Sequence, residues 1–209
     1  MLEYKIRPGS GNVKKKPAIF LLHGYGSNMD DLFSFARYLP TSHNIIAFQA
    51  PLSLGFASYA WYPIGIDNKG TVTSEFDASR SAVDSIIKNI DLLSERYDLD
   101  SEDLSILGFS QGAILSWALG FYKPNKIRRI MPISGLLHES VNTENKPTFI
   151  AYASHGIEDN IIPIQKAREF IVPISNNNPD IHYKEFKDGH TISQENFSEL
   201  LKWIEKTNL

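Results

Sequence analysis

Apolar residues along this chain fall into short runs of strand length, separated by stretches in which they recur at helical spacing. Residues 2–7 alternate apolar and polar positions, as a half-exposed edge strand does, and Pro8-Gly9-Ser10-Gly11-Asn12 ends the run with turn chemistry. Residues 17–22, 44–48 and 104–107 read as strands covered on both faces. Residues 129–133, 147–153 and the alternating 181–186 are three more strand candidates. Between these runs lie helical patterns. Asn28 or Ser27 can cap a helix through about residue 39 that sets Leu32, Phe35, Ala36 and Leu39 on one face. Ser74 and Asp77 form a capping box ahead of Val83, Ile86, Ile87, Ile90, Leu93 and Tyr97. An apolar run after Gly112, a helix from about Ile164, and a last one carrying Phe197, Leu200, Leu201 and Ile204 complete the series. Alternation of this kind predicts an α/β fold, a mostly parallel sheet of about seven strands with helices on both faces. No repeat, low-complexity tract or linker divides it, so residues 1–209 are expected to form one domain. In such sheets the ligand binds beyond the carboxyl ends of the strands.

One segment breaks the pattern. From residue 38 to residue 66 the chain has no Asp, Glu, Lys or Arg, and residues 51–70 hold too many Gly and Pro for a helix. A loop of that length inside a compact domain usually serves function. It is read as one wall of an apolar substrate pocket, with Leu54, Phe56, Trp61 and Tyr62 as candidate lining and Leu136 contributed from elsewhere. The plainer alternative is a surface segment whose aromatic side chains pack on the core.

Composition narrows the class. With 209 residues, 42% hydrophobic and 22% charged, the chain has enough apolar material for one substantial core and the balance of a soluble domain. A formal net charge of −3 offers no attraction to nucleic acid or to an anionic membrane, and Lys14-Lys15-Lys16 reads as a solvated loop. No cysteine is present, which removes disulfides, thiolate metal sites and a cysteine nucleophile. The first residues lack the apolar core of a signal peptide, and no run of 18 apolar residues is found, so a cytoplasmic protein without stable membrane insertion is expected.

Gly108-Phe109-Ser110-Gln111-Gly112 lies where a buried strand turns into a helix. A G-x-S-x-G turn there exposes a serine hydroxyl above the sheet, and side chains at the flanking glycines would collide with neighbouring backbone. Serine needs an imidazole to take its proton and a carboxylate to orient that imidazole. Chain order tests for both: Glu158 and Asp159 follow the second strand after the turn, and His190 follows the last strand. His182 lies within a strand and can point outward, while His43 and His138 read as surface residues in loops, and Asp188 reads as a turn former. Two backbone N–H groups should face the oxyanion. Gln111 supplies one, and Tyr25, in the loop His23-Gly24-Tyr25-Gly26 after the second strand, supplies the other.

Four of these segments in order, Leu22-His23-Gly24-Tyr25-Gly26, Gly108 to Ala113, His155-Gly156-Ile157-Glu158-Asp159 with Ile162-Pro163, and Gly189-His190-Thr191-Ile192, resemble the phospholipase/carboxylesterase branch of the α/β-hydrolases. That branch includes small bacterial carboxylesterases and acyl-protein thioesterases. The resemblance covers nearly the whole chain. It implies the α/β-hydrolase fold, Ser110 as nucleophile, His190 as base, Asp159 rather than Glu158 as the acid, and Tyr25 with Gln111 as oxyanion donors. Trp61-Tyr62 is similar to an aromatic pair that helps form the family's acyl pocket, although Pro63 follows where an acidic residue is common. His23 and His155 match motif histidines that brace loops, so no metal and no cofactor are implied. The expected activity is that of a serine carboxylesterase on short- to medium-chain esters. A lysophospholipase or acyl-protein thioesterase is the nearest alternative, and a binding protein on a hydrolase fold is an alternative of another class. The expected partner is a small ester or thioester, with no nucleic acid, and the apolar loop near the site leaves a homodimer open.

Overall fold

A computed structural model describes residues 1–66, 72–74, 76–138 and 141–208. Its centre is a seven-stranded sheet in the order β1-β3-β2-β8-β9-β10-β11. These strands are β1 (Tyr4–Arg7), β2 (Lys16–Leu22), β3 (Asn44–Phe48), β8 (Leu99–Phe109), β9 (Arg129–Ile133), β10 (Ile150–Gly156) and β11 (Ile181–Phe186). Only β1, on the edge, runs antiparallel to its neighbour, pairing Tyr4 with Phe48 and Arg7 with Ile45. The rest are parallel, as crossover connections through helices require.

Among the described residues five helices cover the sheet: α1 (Met29–Phe33), α2 (Phe76–Arg96), α3 (Gln111–Tyr122), α4 (Ile164–Asn177) and α5 (Gln194–Lys206). Strand alternation decides which face each residue serves. Phe20 and Leu22 of β2 point into a core shared with Val83, Ile86 and Ile90 of α2, Leu115 of α3 and Ala167 of α4. Ile19 and Leu21 point the other way, against Leu32 of α1 and Leu200, Trp203 and Ile204 of α5. The chain therefore folds as three layers, helices on both faces of a mostly parallel sheet, as the α/β-hydrolase fold implied by the resemblance requires. Among the described residues no helix is long and apolar enough to cross a membrane.

Several elements differ from expectation in informative ways. The helix capped by Asn28, whose side chain accepts from the Asp30 N–H, stays α-helical only to Phe33 and tightens into a 3-10 turn over Ser34–Tyr38. Lys16, expected in a solvated loop, opens β2 and its Nζ donates to Gly9 O at 2.6 Å. The largest correction concerns residues 51–70, where no structureless loop exists among the described residues. Instead β4 (Leu52–Gly55) pairs with β5 (Ser58–Ala60), and β6 (Ile64–Ile66) pairs with β7 (Val72–Ser74). The first hairpin turns through Phe56 and Ala57, both at positive φ (49° and 59°), the signs of a type I′ turn. Such turns announce themselves by Asn-Gly or Asp-Gly, and Phe-Ala gives no such signal. The stretch expected between residues 67 and 70, and the capping box at Ser74 and Asp77, lie outside the described residues or side chains.

Candidate active site

Ser110 stands between the last residue of β8 and the first of α3, with φ 53° and ψ −114°. That left-handed φ costs a non-glycine residue on the order of 1–2 kcal/mol. It is held by the Ser110 N–H donating to Ile133 O of β9 at 3.0 Å, while Ser110 O accepts from Ala113 and Ile114 to open the helix. A Cβ at Gly112 would run into Leu22 O, and one at Gly108 into Gly112 O, so only glycine lets β2, β8 and α3 approach this closely. A serine in the N-cap position ordinarily turns its hydroxyl onto its own helix. Here the side chain makes no capping bond.

The Ser110 hydroxyl instead lies 2.9 Å from His190 Nε2. His190 projects from the loop after β11, and its Nδ1 is 2.7 Å from Asp159 Oδ2 in the loop after β10. The two carboxylate oxygens of the buried Asp159 have separate duties. Oδ1 accepts from the N–H groups of Ile161 and Ile162, each at 2.8 Å, which fixes the plane of the group and leaves Oδ2 for His190. With Nδ1–H committed to Asp159, the lone pair of His190 Nε2 faces the serine. Phe109 packs its ring 5.0 Å from the imidazole. His155, fully buried, donates Nε2–H to Ile162 O at 2.8 Å and stands 3.3 Å from Asp159 Oδ2, a contact that sequence reasoning missed. Glu158 is exposed, His182 faces out from β11, and the backbone carbonyl of Asp188 accepts the Glu158 N–H.

The glycine-rich loop after β2 runs beside Ser110: a Cβ at Gly24 would come 3.2 Å from that of Ser110. Its shape depends on His23, which donates Nδ1–H to Gly24 O at 2.8 Å and accepts at Nε2 from the Ala50 N–H and from Gln49 Nε2. Burial pushes the His23 imidazole below its ordinary pKa and keeps it neutral, as an accepting Nε2 requires. Among the described residues the N–H groups of Tyr25 and Gln111 donate to nothing.

The candidate pocket residues are not grouped as anticipated. Trp61 and Tyr62 are only 3% and 2% exposed and belong to the core. Leu54 and Phe56 stand out in solvent on the β4–β5 hairpin, and Leu136 is half-buried. Trp61 and Tyr62 are engaged with the turn at Ser110: the Gln111 side chain accepts from the Trp61 N–H at 2.9 Å and donates to Tyr62 O at 2.9 Å. Among the described residues no group of three or more His, Asp or Glu could hold a metal.

Comparison with known proteins identifies the class. The sequence profile of the Phospholipase/Carboxylesterase family matches residues 8–208, and the chain belongs to that family, a family of ester-cleaving hydrolases. Among its relatives, acyl-protein thioesterase 1 of Mycosarcoma maydis is 21% identical over 232 aligned positions, covering 96% of this chain and 95% of the relative. The crystal structure of esterase PE8 superposes with a TM-score of 0.84 at 21% identity, covering 99% of each chain. The Bacillus cereus carboxylesterase does so at 0.82 and 17% identity, covering 99% of this chain and 94% of its own.

Proposed function

We propose that this chain is a serine carboxylesterase that hydrolyses carboxylic esters of short to medium acyl length through an acyl-enzyme on Ser110. The observation that carries the reading is the row Asp159–His190–Ser110, with contacts of 2.7 and 2.9 Å. His190 Nε2 takes the hydroxyl proton as Ser110 Oγ attacks the acyl carbonyl, and Asp159 stabilises the imidazolium that forms. The N–H groups of Tyr25 and Gln111 receive the oxyanion. His190 then gives the proton to the leaving alcohol, and water repeats the sequence in reverse to free the acid. Neither metal nor cofactor is needed for these steps.

A second reading, an acyl-protein thioesterase or lysophospholipase, uses the same groups. It is favoured by the relative of that name and by Leu54, Phe56, Ile157 and Ile161, exposed apolar side chains that a long acyl chain would cover.

Two measurements test the reading. A fluorophosphonate should label the peptide that bears Ser110, and Ser110→Ala should lower kcat on a chromogenic short-chain ester about 10⁵- to 10⁶-fold. Label on another peptide, or retained turnover in the alanine variant, sinks it. Rates across C2 to C16 esters and the matching thioesters separate the two substrate classes.

A further inference from the structure

Resting on the esterase reading, we infer that Trp61 is a positioning residue that ties the two halves of the oxyanion hole together, rather than a wall of the acyl pocket. The hole draws its two donors from loops that leave different strands. β2 and β8 stay paired only as far as Leu22 and Gly108. Beyond that point the loops of His23–Gly26 and Phe109–Gly112 stay in van der Waals contact, Gly24 against Ser110 and Gly112 against His23, but among the described residues no backbone hydrogen bond runs directly between them. Nothing in the sheet ladder sets the spacing of the Tyr25 and Gln111 N–H groups.

Trp61 bonds to both loops. Its indole Nε1–H donates to His23 O at 2.8 Å, which fixes the peptide plane one residue ahead of the peptide that carries the Tyr25 N–H. Its backbone N–H donates to Gln111 Oε1 at 2.9 Å, and Gln111 Nε2 closes the clasp on Tyr62 O at 2.9 Å. The residue whose side chain is clasped is the one whose N–H is the second donor. His23, Trp61 and Gln111 are all at least nineteen-twentieths buried, so these bonds meet no competition from water. The His23 and Trp61 rings pack at 5.4 Å, and His23 Nε2 in turn accepts from the Ala50 N–H, in the short connection between β3 and β4. A buried indole in a hydrolase of esters is most simply a packing residue, but packing alone does not use both of its N–H groups on the two loops that need alignment. Oxyanion stabilisation depends on donors held within a few tenths of an ångström of where negative charge develops. A brace of this kind acts on the transition state and leaves ground-state binding nearly unchanged.

The experiment compares Trp61→Phe, which removes the indole donor and keeps an aromatic ring, with Gln111→Met, which removes the side-chain clasp and keeps the backbone N–H. Fluorophosphonate titration counts folded, competent sites, so kcat per titrated site is insensitive to any unfolded fraction. Each variant should lose about 10- to 100-fold in kcat with KM within about threefold of the parent, in line with the cost of a misplaced rather than a missing donor. The double variant should fall by less than the product of the two, because both cut one brace. Affinity for an alkyl boronic acid, which forms a tetrahedral adduct on the serine, should fall in parallel with kcat. A rise in KM at unchanged kcat would assign Trp61 to the pocket wall and overturn the inference, as would kcat within twofold of the parent in both variants. A parent enzyme that the fluorophosphonate fails to label at Ser110 defeats the esterase reading itself, a result separate from either of these.

Discussion

At the carboxyl ends of the parallel strands Asp159, His190 and Ser110 lie in a row; at the amino ends Asp103, Arg129 and His43 lie in another. The second row is fully buried. Arg129 Nη2 pairs with Asp103 Oδ1 and donates to His43 Nε2 at 3.2 Å, its Nε donates to Ser105 Oγ at 2.8 Å, and Nη1 reaches Thr207 O at 3.0 Å. Arg128 adds a second ion pair to Asp103 at 3.3 Å, and Arg7 donates to His43 O at 3.1 Å. Both rows contain a buried aspartate and a histidine, and β8 connects them, since Asp103 lies in it and Ser110 follows its last residue. The difference is in the order of the groups. Where imidazole stands between acid and hydroxyl, one ring nitrogen can take the hydroxyl proton while the acid orients the ring and stabilises its charge from the other side. Where guanidinium stands between acid and imidazole, the acid faces a cation that never releases its proton, and the row can only hold the fold.

The largest effect comes from disturbing the order at the carboxyl end. In Asp159→Asn, the N–H groups of Ile161 and Ile162 will keep the amide oxygen in the place of Oδ1 and turn the NH₂ toward His190. His190 must then accept at Nδ1 and carry its proton on Nε2, where it can no longer act as a base toward Ser110. A fall in kcat/KM of about 10⁴-fold is expected from steady-state kinetics, with an unchanged melting profile. A loss under tenfold would mean that Asp159 does not set the tautomer.

Disturbing the amino end should do the opposite. Arg129→Met leaves Asp103 buried with only the more exposed Arg128 beside it, and should cost about 2–4 kcal/mol of stability in urea unfolding. Activity per titrated site should stay within about twofold. A large drop in kcat at unchanged stability would show that the two ends of the sheet are coupled.

These two rows also differ in how much of them can be read from the sequence. Ser110, Asp159 and His190 each follow an apolar run at its carboxyl end, so chain order alone brings them together once the runs are taken as parallel strands. His43, Asp103 and Arg129 share no spacing or motif. They meet because β3, β2, β8 and β9 are consecutive neighbours in the sheet, which apolar runs do not reveal, and His43 accordingly reads as a surface residue although it is buried. A similar limit applies to Trp61. An aromatic side chain in an uncharged stretch suggests a pocket, whereas its use in the fold depends on two N–H groups whose partners lie 38 and 50 residues away. The hairpin before it was hidden for a local reason, a turn built on Phe56 and Ala57 in a conformation that sequence reasoning reserves for Gly and Asn.

The smallest effect concerns protons at the amino end. Burial, with Arg129, Arg7 and Arg128 around it and Asp103 opposing them, pulls the His43 pKa down to about 4. The neutral ring is what the fold needs, since Nε2 must accept from Arg129. An unfolded chain takes up a proton at this histidine below about pH 6.5, and the folded one only below about 4. Between those values the unfolded state binds more protons, so stability falls as pH falls through the window, and the loss is complete near its lower end. From pH 7.5 to pH 5 the contribution is about 2 kcal/mol. His23, also buried and held below its usual value, tilts stability in the same direction in parent and variant alike. His43→Gln keeps an acceptor for Arg129 without a titratable ring, and it should flatten the dependence of unfolding free energy on pH by that amount while kcat per titrated site at neutral pH is unchanged. Parallel pH curves for the two proteins would mean that His43 is protonated in the folded state, and that the amino-end row is not the fixed counterpart of the one around Ser110.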